Sequence, residues 1–417
     1  MKRFVFVCLL LSVTLTGLFA SVPVVRYDDI DFSFRPTQTR FNAMGQAALS
    51  SPTRTEAMFV NPALLAERGF SLNIPSLTIT LYNVHANASD QGVRDDVKAV
   101  FKGNADSTTY VDLLQRVAGH LGTGYNLVSS IDTGIGFKIG QFAFGTDIQV
   151  REHSLRNGNS ILATTIIPEL NVSGSLGFGF DIVRTSTTKL SIGISAHAVI
   201  KQYYKGMPVS AISDIILSDN TVQTMLWDEP VMGGYAFPID IGLNFDAGDI
   251  FRFSVTANNL NGKYRMKSYS SLGDSLERYK INLPEKPEGH SPEEGEDFMI
   301  ETPWELNAGF SIKGGSFLHP TVAVSVVDMI SLVDEIKDQK AGKENILLHL
   351  NAGLELDLFE FLSIKGGINR GYLSAGAGIN LPGLRIDASY GWQEFGKMIG
   401  DKPVDALSVR VNIGYDK

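Results

Sequence analysis

The sequence predicts an all-β protein: a transmembrane antiparallel β-barrel of about 14 strands with an N-terminal lumenal plug. Three observations carry this prediction. The first is a period-two pattern. In residues 170–182, LNVSGSLGFGFDI, Leu170, Val172, Leu176, Phe178, Phe180 and Ile182 occupy alternate positions with Gly174, while Asn171, Ser173, Ser175, Gly177, Gly179 and Asp181 fill the rest. Such alternation marks a strand with two unlike faces. The second is length: the patterned runs span about 9 to 13 residues, which suits a tilted strand crossing a bilayer better than the shorter strands of soluble sheets. The third is the connections, which alternate short and long as the turns and loops of outer-membrane barrels do.

Taken in order, residues 1–20 read as a signal peptide. Lys2 and Arg3 precede an apolar run from Phe4 to Leu15, and small residues lie near a cut between Ala20 and Ser21. The only cysteine, Cys8, lies inside that run, so residues 21–417 contain no thiol for a disulfide or metal site. Residues 21–68 are too irregular for lipid-facing strands. They are rich in small residues and broken by Gly45, Pro52 and Pro62, which suits a compact plug inside a lumen. The barrel is expected over 69–417.

The expected strands lie near 70–83, 131–139, 141–151, 170–182, 189–201, 235–246, 250–259, 303–313, 320–328, 346–358, 361–369, 372–381, 383–392 and 406–415. An even number lets an antiparallel sheet close without an edge. Short links such as IGQ, RTSTT, DAGD and LPG follow the even strands. Long ones at 84–130, 152–169, 202–234, 260–302, 329–345 and 393–405 follow most odd strands, the tight RG at 370–371 being the exception. Helical spacing within 84–130 sets Val111, Leu114, Val117, Ala118 and Leu121 near one face, and SAISDIILSDNTVQTML behaves similarly. The Pro, Glu and Gly content of 283–297 reads as a mobile external loop. Trp227, Trp304, Trp392, Tyr235, Tyr390 and Tyr415 fall near strand ends, where interfacial aromatics belong.

The inward faces carry Asp132, Lys138, Asp240, Arg252, Lys365, Arg385, Asp387 and Arg410 as lumen-lining charges. A basic side chain turned to lipid at mid-depth would cost roughly 2–4 kcal/mol, whereas one turned inward can pair across strands and with the plug. Net charge is −9, which argues against nucleic acid as a partner. The seven histidines show no metal-ligand spacing, and no cofactor is expected. Ser195 and His197 share an inward face, but successive same-face residues of a strand stand nearly 7 Å apart at the backbone, so no catalytic pair and no enzyme are expected. Gly-rich GAGIN lies within a strand and opens no helix, so it is no phosphate loop.

The segment MGQAALSSPTRTEAMFVNPALLA resembles the N-terminal element of the FadL-like family of outer-membrane long-chain fatty-acid transporters. Met44, Gly45, Ala47, Asn61, Pro62, Ala63, Leu65 and Ala66 match its MGGA and NPAGLA pieces; Gln46 and Leu64 replace glycines. NNLNG at 258–262 and GGINRGYLSAGAGINLPGLRIDASYG at 366–391 resemble later strands of that family and of related spirochaete-type barrel proteins. The resemblance implies a barrel in the outer membrane of a diderm bacterium. It also implies passive uptake of hydrophobic small molecules such as long-chain fatty acids, and a plug gating at Gly45, Asn61, Pro62 and Ala63. Implied partners are the hydrophobic ligand, outer-membrane lipid and the barrel assembly machinery. Tyr415 is followed by Asp416 and Lys417, a departure from barrels that end on an aromatic assembly signal. An alternative from the same resemblance is a carrier or scaffold that binds an exported protein, with the acidic stretch 283–297 as the contact.

Overall fold

The computed structural model describes residues 34–416 except 52–53, 159–160, 162–163, 218–225, 282–285, 287–293, 316–317, 338–345, 360 and 397. The expected signal peptide, residues 21–33 of the expected plug, and most of the stretch 283–297 lie outside the described residues.

Among the described residues the barrel wall has fourteen strands, with the two-residue strand Met207–Pro208 pairing on β4 outside this count: β1 Gly69–Tyr82, β2 Gly124–Gly140, β3 Phe142–Arg156, β4 Thr164–Arg184 and β5 Thr188–Tyr204. β6 joins Val231–Ala236 to Ile239–Ala247, β7 joins Phe251–Leu260 to Lys263–Tyr269, and β8 joins Glu294–Glu301 to Glu305–Lys313. Then come β9 Thr321–Val326, β10 Leu350–Leu358, β11 Leu362–Asn369, β12 Tyr372–Leu381, β13 Leu384–Glu394 and β14 Pro403–Asp416. Each strand pairs antiparallel with its neighbours, and β1 pairs with both β2 and β14, so the sheet closes on itself. Closure satisfies every backbone row without an exposed edge, the condition for crossing hydrocarbon as strands.

The opening pattern runs as expected in β4, where Leu176, Phe180 and Ile182 are exposed while Ser173, Ser175, Gly177 and Gly179 are buried. Around the barrel, Ile135, Phe144, Ile194, Leu243, Phe253, Val324, Ile364, Ile379, Val409 and others form an outward apolar belt. A surface this apolar belongs against lipid.

Several strands outrun the sequence expectation. β2 begins at Gly124 and β4 at Thr164, and the expected loop 260–302 contains the upper halves of β7 and β8. Residues 294–297 are therefore strand, not mobile loop. The reason is a reversal of chemistry between faces. In the lower part of β7, Phe253 and Val255 point out while Arg252, Ser254 and Thr256 are buried; above the break, Tyr264 and Met266 are buried while Lys263 and Arg265 are exposed. Apolar residues facing inward and charges facing outward make an ordinary water-exposed wall, which a search for lipid-facing strands passes over.

The reversal falls where β6, β7 and β8 are interrupted at neighbouring positions: Phe237-Pro238, Asn261-Gly262 and Thr302-Pro303-Trp304. Proline lacks the N–H that a ladder needs. Side chains restore the contacts: Asn259 Nδ2 donates to Thr302 Oγ1 at 2.7 Å and to the Pro303 carbonyl at 2.9 Å, and Asn261 Nδ2 donates to the Phe237 carbonyl at 3.2 Å. Trp304, 47% exposed, stands at this level as an interfacial aromatic would. Trp227 does not: it is buried against Gly273 in the loops, because Gly273 leaves room for the indole face.

The rim is uneven. β2–β5 rise high above the belt, while β9 and β11 are short and joined to their neighbours near belt level. Helices Val84–Ser89, Gln91–Lys102, Ser107–His120 and Val209–Ile216 pack over the tall side. Ala118 and Leu121 are buried there as the helical spacing expects, with Leu114 packed beside Ile212 and Val209. Asp106 caps Ser107–His120 by accepting from the Thr109 N–H at 2.8 Å, and these bonds depress its carboxyl to about 2.

Candidate functional site

Residues 34–51 and 54–68 occupy the lumen as short helical turns: Thr39–Ala43, Arg54–Glu56, Ala57–Val60 and Pro62–Ala66. Asn61 is fully buried and precedes the last turn in extended conformation. Its Oδ1 accepts from the Ala63 N–H at 3.1 Å and its Nδ2 donates to the Leu49 carbonyl at 3.2 Å. Pro62 then fits the first helical position, where an N–H has no partner.

Wall glycines make the seat. Gly179, Gly193 and Gly242 face one another across β4, β5 and β6, since Gly179 is in register with Gly193 and Gly193 with Gly242. A methyl group on Gly193 would collide with the Pro62 backbone, one on Gly242 with the Asn61 side chain, and one on Gly179 with Pro62 and Ala66. The three form a trough for Pro62–Ala66. A second seat lies opposite: Gly353 and Gly367, paired between β10 and β11, receive Met44. Gly45, at φ +62°, lies against the Ile368 backbone, where glycine supplies both the conformation and the clearance.

Charged side chains fasten the plug further. Asp132 accepts from the Thr37 N–H at 3.1 Å and from Gln149; Lys138 donates to the Glu67 carbonyl at 2.6 Å. Arg252 joins Glu67 to Asp246, and Arg410 donates to Gln38 and the Thr37 carbonyl. Lys365 lies 3.0 Å from Asp387 and 3.7 Å from Glu355, while Arg385 lies 2.7 Å from Asp387. This group surrounds Arg40 of the plug, whose guanidinium meets Glu355 at 2.5 Å. Burial opposes the Arg40 charge, but Glu355 outweighs it and raises the guanidinium pKa above its ordinary value. The plug arginines were not singled out in the sequence, because Arg40 and Arg35, the latter 3.1 Å from Glu305, lie in no patterned strand.

Asp240 sits in a different setting. Its carboxylate is 3.3 Å from His197 Nε2 and accepts from the Asn259 N–H at 2.6 Å. His197 Nδ1 is 2.8 Å from Ser175 Oγ, and its Nε2 is 3.3 Å from Ser195 Oγ, so the side chains meet despite their backbone spacing. The plug covers the cluster: Ser195 donates to the Met58 carbonyl at 2.6 Å and Phe59 stacks on the imidazole at 5.1 Å. Ser175 and Ser195 are buried beneath it. The cluster acts as a plug contact. Among the described residues no group of three or more His, Cys, Asp or Glu side chains is placed to hold a metal ion.

Above the plug opens a vestibule of about 630 Å³. Phe41, Leu49, Phe59 and Val60 of the plug reach it from below. Tyr82, Tyr125 and Phe395 form an aromatic side, with Phe395 6.3 Å from each tyrosine ring, while Asn307, Asn351, Arg35 and Arg151 add polar groups. Next to the vestibule, Phe34, Phe59 and Leu64 of the plug join Ile167, Tyr203, Tyr264, Met266 and Ile300 of the tall wall in one apolar cluster. On the short-turn side a cavity of about 320 Å³ is lined by Arg40, Arg54, Glu355 and Arg385. The vestibule is amphipathic: it can bury an apolar body and still offer hydrogen bonds to a polar end.

A closed barrel with a lipid belt, a seated plug and a vestibule defines a transmembrane β-barrel of the outer-membrane type. Among solved structures, the chain is similar to the toluene transporter TodX of Pseudomonas putida (11% identity, 93% of this chain and 99% of that chain, TM-score 0.48). It is also similar to a FadL homologue of Pseudomonas aeruginosa (13% identity, 92% and 99%, TM-score 0.45) and to the monoaromatic hydrocarbon channel CymD (12% identity, 91% and 96%, TM-score 0.44). No family model and no curated protein matches the chain.

Proposed function

We propose that this chain is an outer-membrane channel for passive uptake of hydrophobic small molecules, with long-chain fatty acids as candidate cargo. In this reading the plug segment around Gly45, Asn61, Pro62 and Ala63 is the gate. The observation that carries it is the pair of cavities, about 630 and 320 Å³, on opposite sides of a plug held by glycine seats and ion pairs. An apolar molecule entering from the long-loop side meets Phe41 and Phe59 on the vestibule floor. Phe59 and Val60 directly precede Asn61, so a shift of the Pro62–Ala66 turn in its trough moves that floor. Binding and passage are thereby linked to one local displacement, and the gradient of the solute drives transport.

The test is Asn61→Ala combined with Pro62→Ala. Losing the cap and the preset turn unseats the vestibule floor. The expected outcome is several-fold slower uptake of a labelled long-chain fatty acid by cells, with unchanged heat-modifiable mobility of the assembled barrel. Wild-type uptake by correctly assembled double variant would remove the gating role.

A further inference from the structure

We propose that the low side of the rim is a membrane-docking surface: helix Met329–Lys337 lies in the outer interface of the bilayer, with its apolar stripe among the lipid headgroups and upper acyl chains. This goes beyond the uptake reading and does not depend on it.

The helix is amphipathic. Met329, Leu332, Val333 and Ile336 follow the i, i+3, i+4, i+7 spacing of one face, while Ser331, Asp334 and Glu335 lie opposite. Within a water-soluble rim such a stripe would turn toward protein. Here Val333 is 43% and Ile336 54% exposed. The barrel fixes the helix by its polar groups instead. The Asp328 N–H donates to Asn307 at 2.8 Å, the Asp328 carboxylate caps Ser331, and Glu335 lies 3.6 Å from His349 Nε2.

Position identifies the occupant. The helix starts three residues after β9, whose outward Val322 and Val324 belong to the lipid belt, and it packs against β8 just above Trp304. At a strand rise of about 3.3 Å per residue, Val324 is within roughly 17 Å of the first helical residue along the chain. Ile346, Leu347, Ile368 and the 74%-exposed Leu373 continue the same apolar surface along the low rim. The tall side differs: there Lys263, Arg265 and Glu301 form a charged collar above the belt. On the low side the exposed stripe is continuous with the lipid-facing wall, and a short amphipathic helix at that level is suited to the headgroup and acyl boundary. Lys337, flanking the stripe, can extend its ammonium to the headgroups.

Cys8 is the only cysteine of the chain, so in a Cys8→Ser background one introduced thiol labels one site. An environment-sensitive fluorophore would be placed singly at Ile336→Cys, at Leu243→Cys in the belt and at Arg265→Cys on the tall wall. Each full-length protein would be assembled in phosphatidylcholine vesicles carrying a spin label near the headgroup end or near the methyl end of the acyl chain. The expected result at 336 is blue-shifted emission, with quenching by the shallow label at least about twofold stronger than by the deep one. Position 243 should favour the deep label and position 265 should resist both. Unquenched, red emission at 336 matching position 265 would overturn the proposal, and so would deep quenching matching position 243. If Ile336→Cys fails to assemble, Val333→Cys is read in the same way.

Discussion

The lower and upper halves of β7 have the same alternation and opposite chemistry. In the belt, Phe253 and Val255 face out while Arg252 and Ser254 face in; above Gly262, Lys263 and Arg265 face out while Tyr264 and Met266 face in. One strand thus crosses from a sheet solvated by lipid to a sheet solvated by water, and the Asn261-Gly262 break marks the boundary. The interiors differ too. Within the belt the wall offers glycine, hydroxyl and paired charge to the plug, whereas the tall wall adds an apolar cluster of Ile167, Tyr203, Tyr264, Met266 and Ile300 beside the buried Lys201, Glu169 and His153 group. The alternation sets which residues share a face; the surrounding medium decides which face is apolar.

The largest effect should come from filling the seat inside the belt. Gly193→Val forces a branched side chain against the Pro62 backbone, and backbone cannot yield as a side-chain tip can. A loss of about 3 kcal/mol or more is expected, together with new protease cleavage within 54–68 and increased ion leak across planar bilayers. Intact protease resistance and an unchanged unfolding midpoint would contradict the close seat.

Charge on the outer face should separate the two halves next. Leu243→Arg, facing lipid, should cost roughly 2–4 kcal/mol in urea unfolding from vesicles. Met299→Lys, on the outside of the tall wall, should change the same measurement by no more than about 0.5 kcal/mol. Equal costs would place both positions in the same medium. A smaller contrast comes from one deleted methylene. Ile300→Val, in the apolar cluster of the tall wall, should cost about 1 kcal/mol, while Ile241→Val should be nearly neutral because mobile lipid chains fill the gap.

The smallest expected effect is a local response to pH. Burial, aided by Asp228, raises the Glu229 carboxyl to about 7. The folded loop therefore binds the proton more tightly than the opened loop does. Its stabilisation is complete below the ordinary glutamate range and is lost as pH rises through about 7. After correction for the intrinsic pH dependence, amide exchange over 226–236 should speed up between pH 5 and 8, and Glu229→Gln should abolish that change.

The belt was legible because lipid demands the most visible pattern a strand can carry: Leu176, Phe178, Phe180 and Ile182 stand against Ser175, Gly177, Gly179 and Asp181. All fourteen strands have their lipid-facing parts where the alternation placed them. The upper halves of β7 and β8 were missed because Tyr264, Met266, Phe298 and Ile300 form short runs interrupted by charge and separated from the belt by Pro303 and Gly262. The alternation assigns the charged residues to inward faces, but it gives no partner for them, since Arg40 meets Glu355 across 315 positions. The glycine trough was half visible. Gly179 lies on the polar face of its strand in the sequence pattern, but only the register of three strands shows that it aligns with Gly193 and Gly242 beneath Pro62.

The trough also ties the lumen's contents to the closing seam of the barrel. Pro62–Ala66 lies only a few residues before β1, and β1 forms the closing seam with β14. Glycine clearances that fit the plug backbone leave little space for threading it through a finished ring. The segment that fills the lumen is thus tethered directly to the seam strand, and the sheet surrounds its own contents.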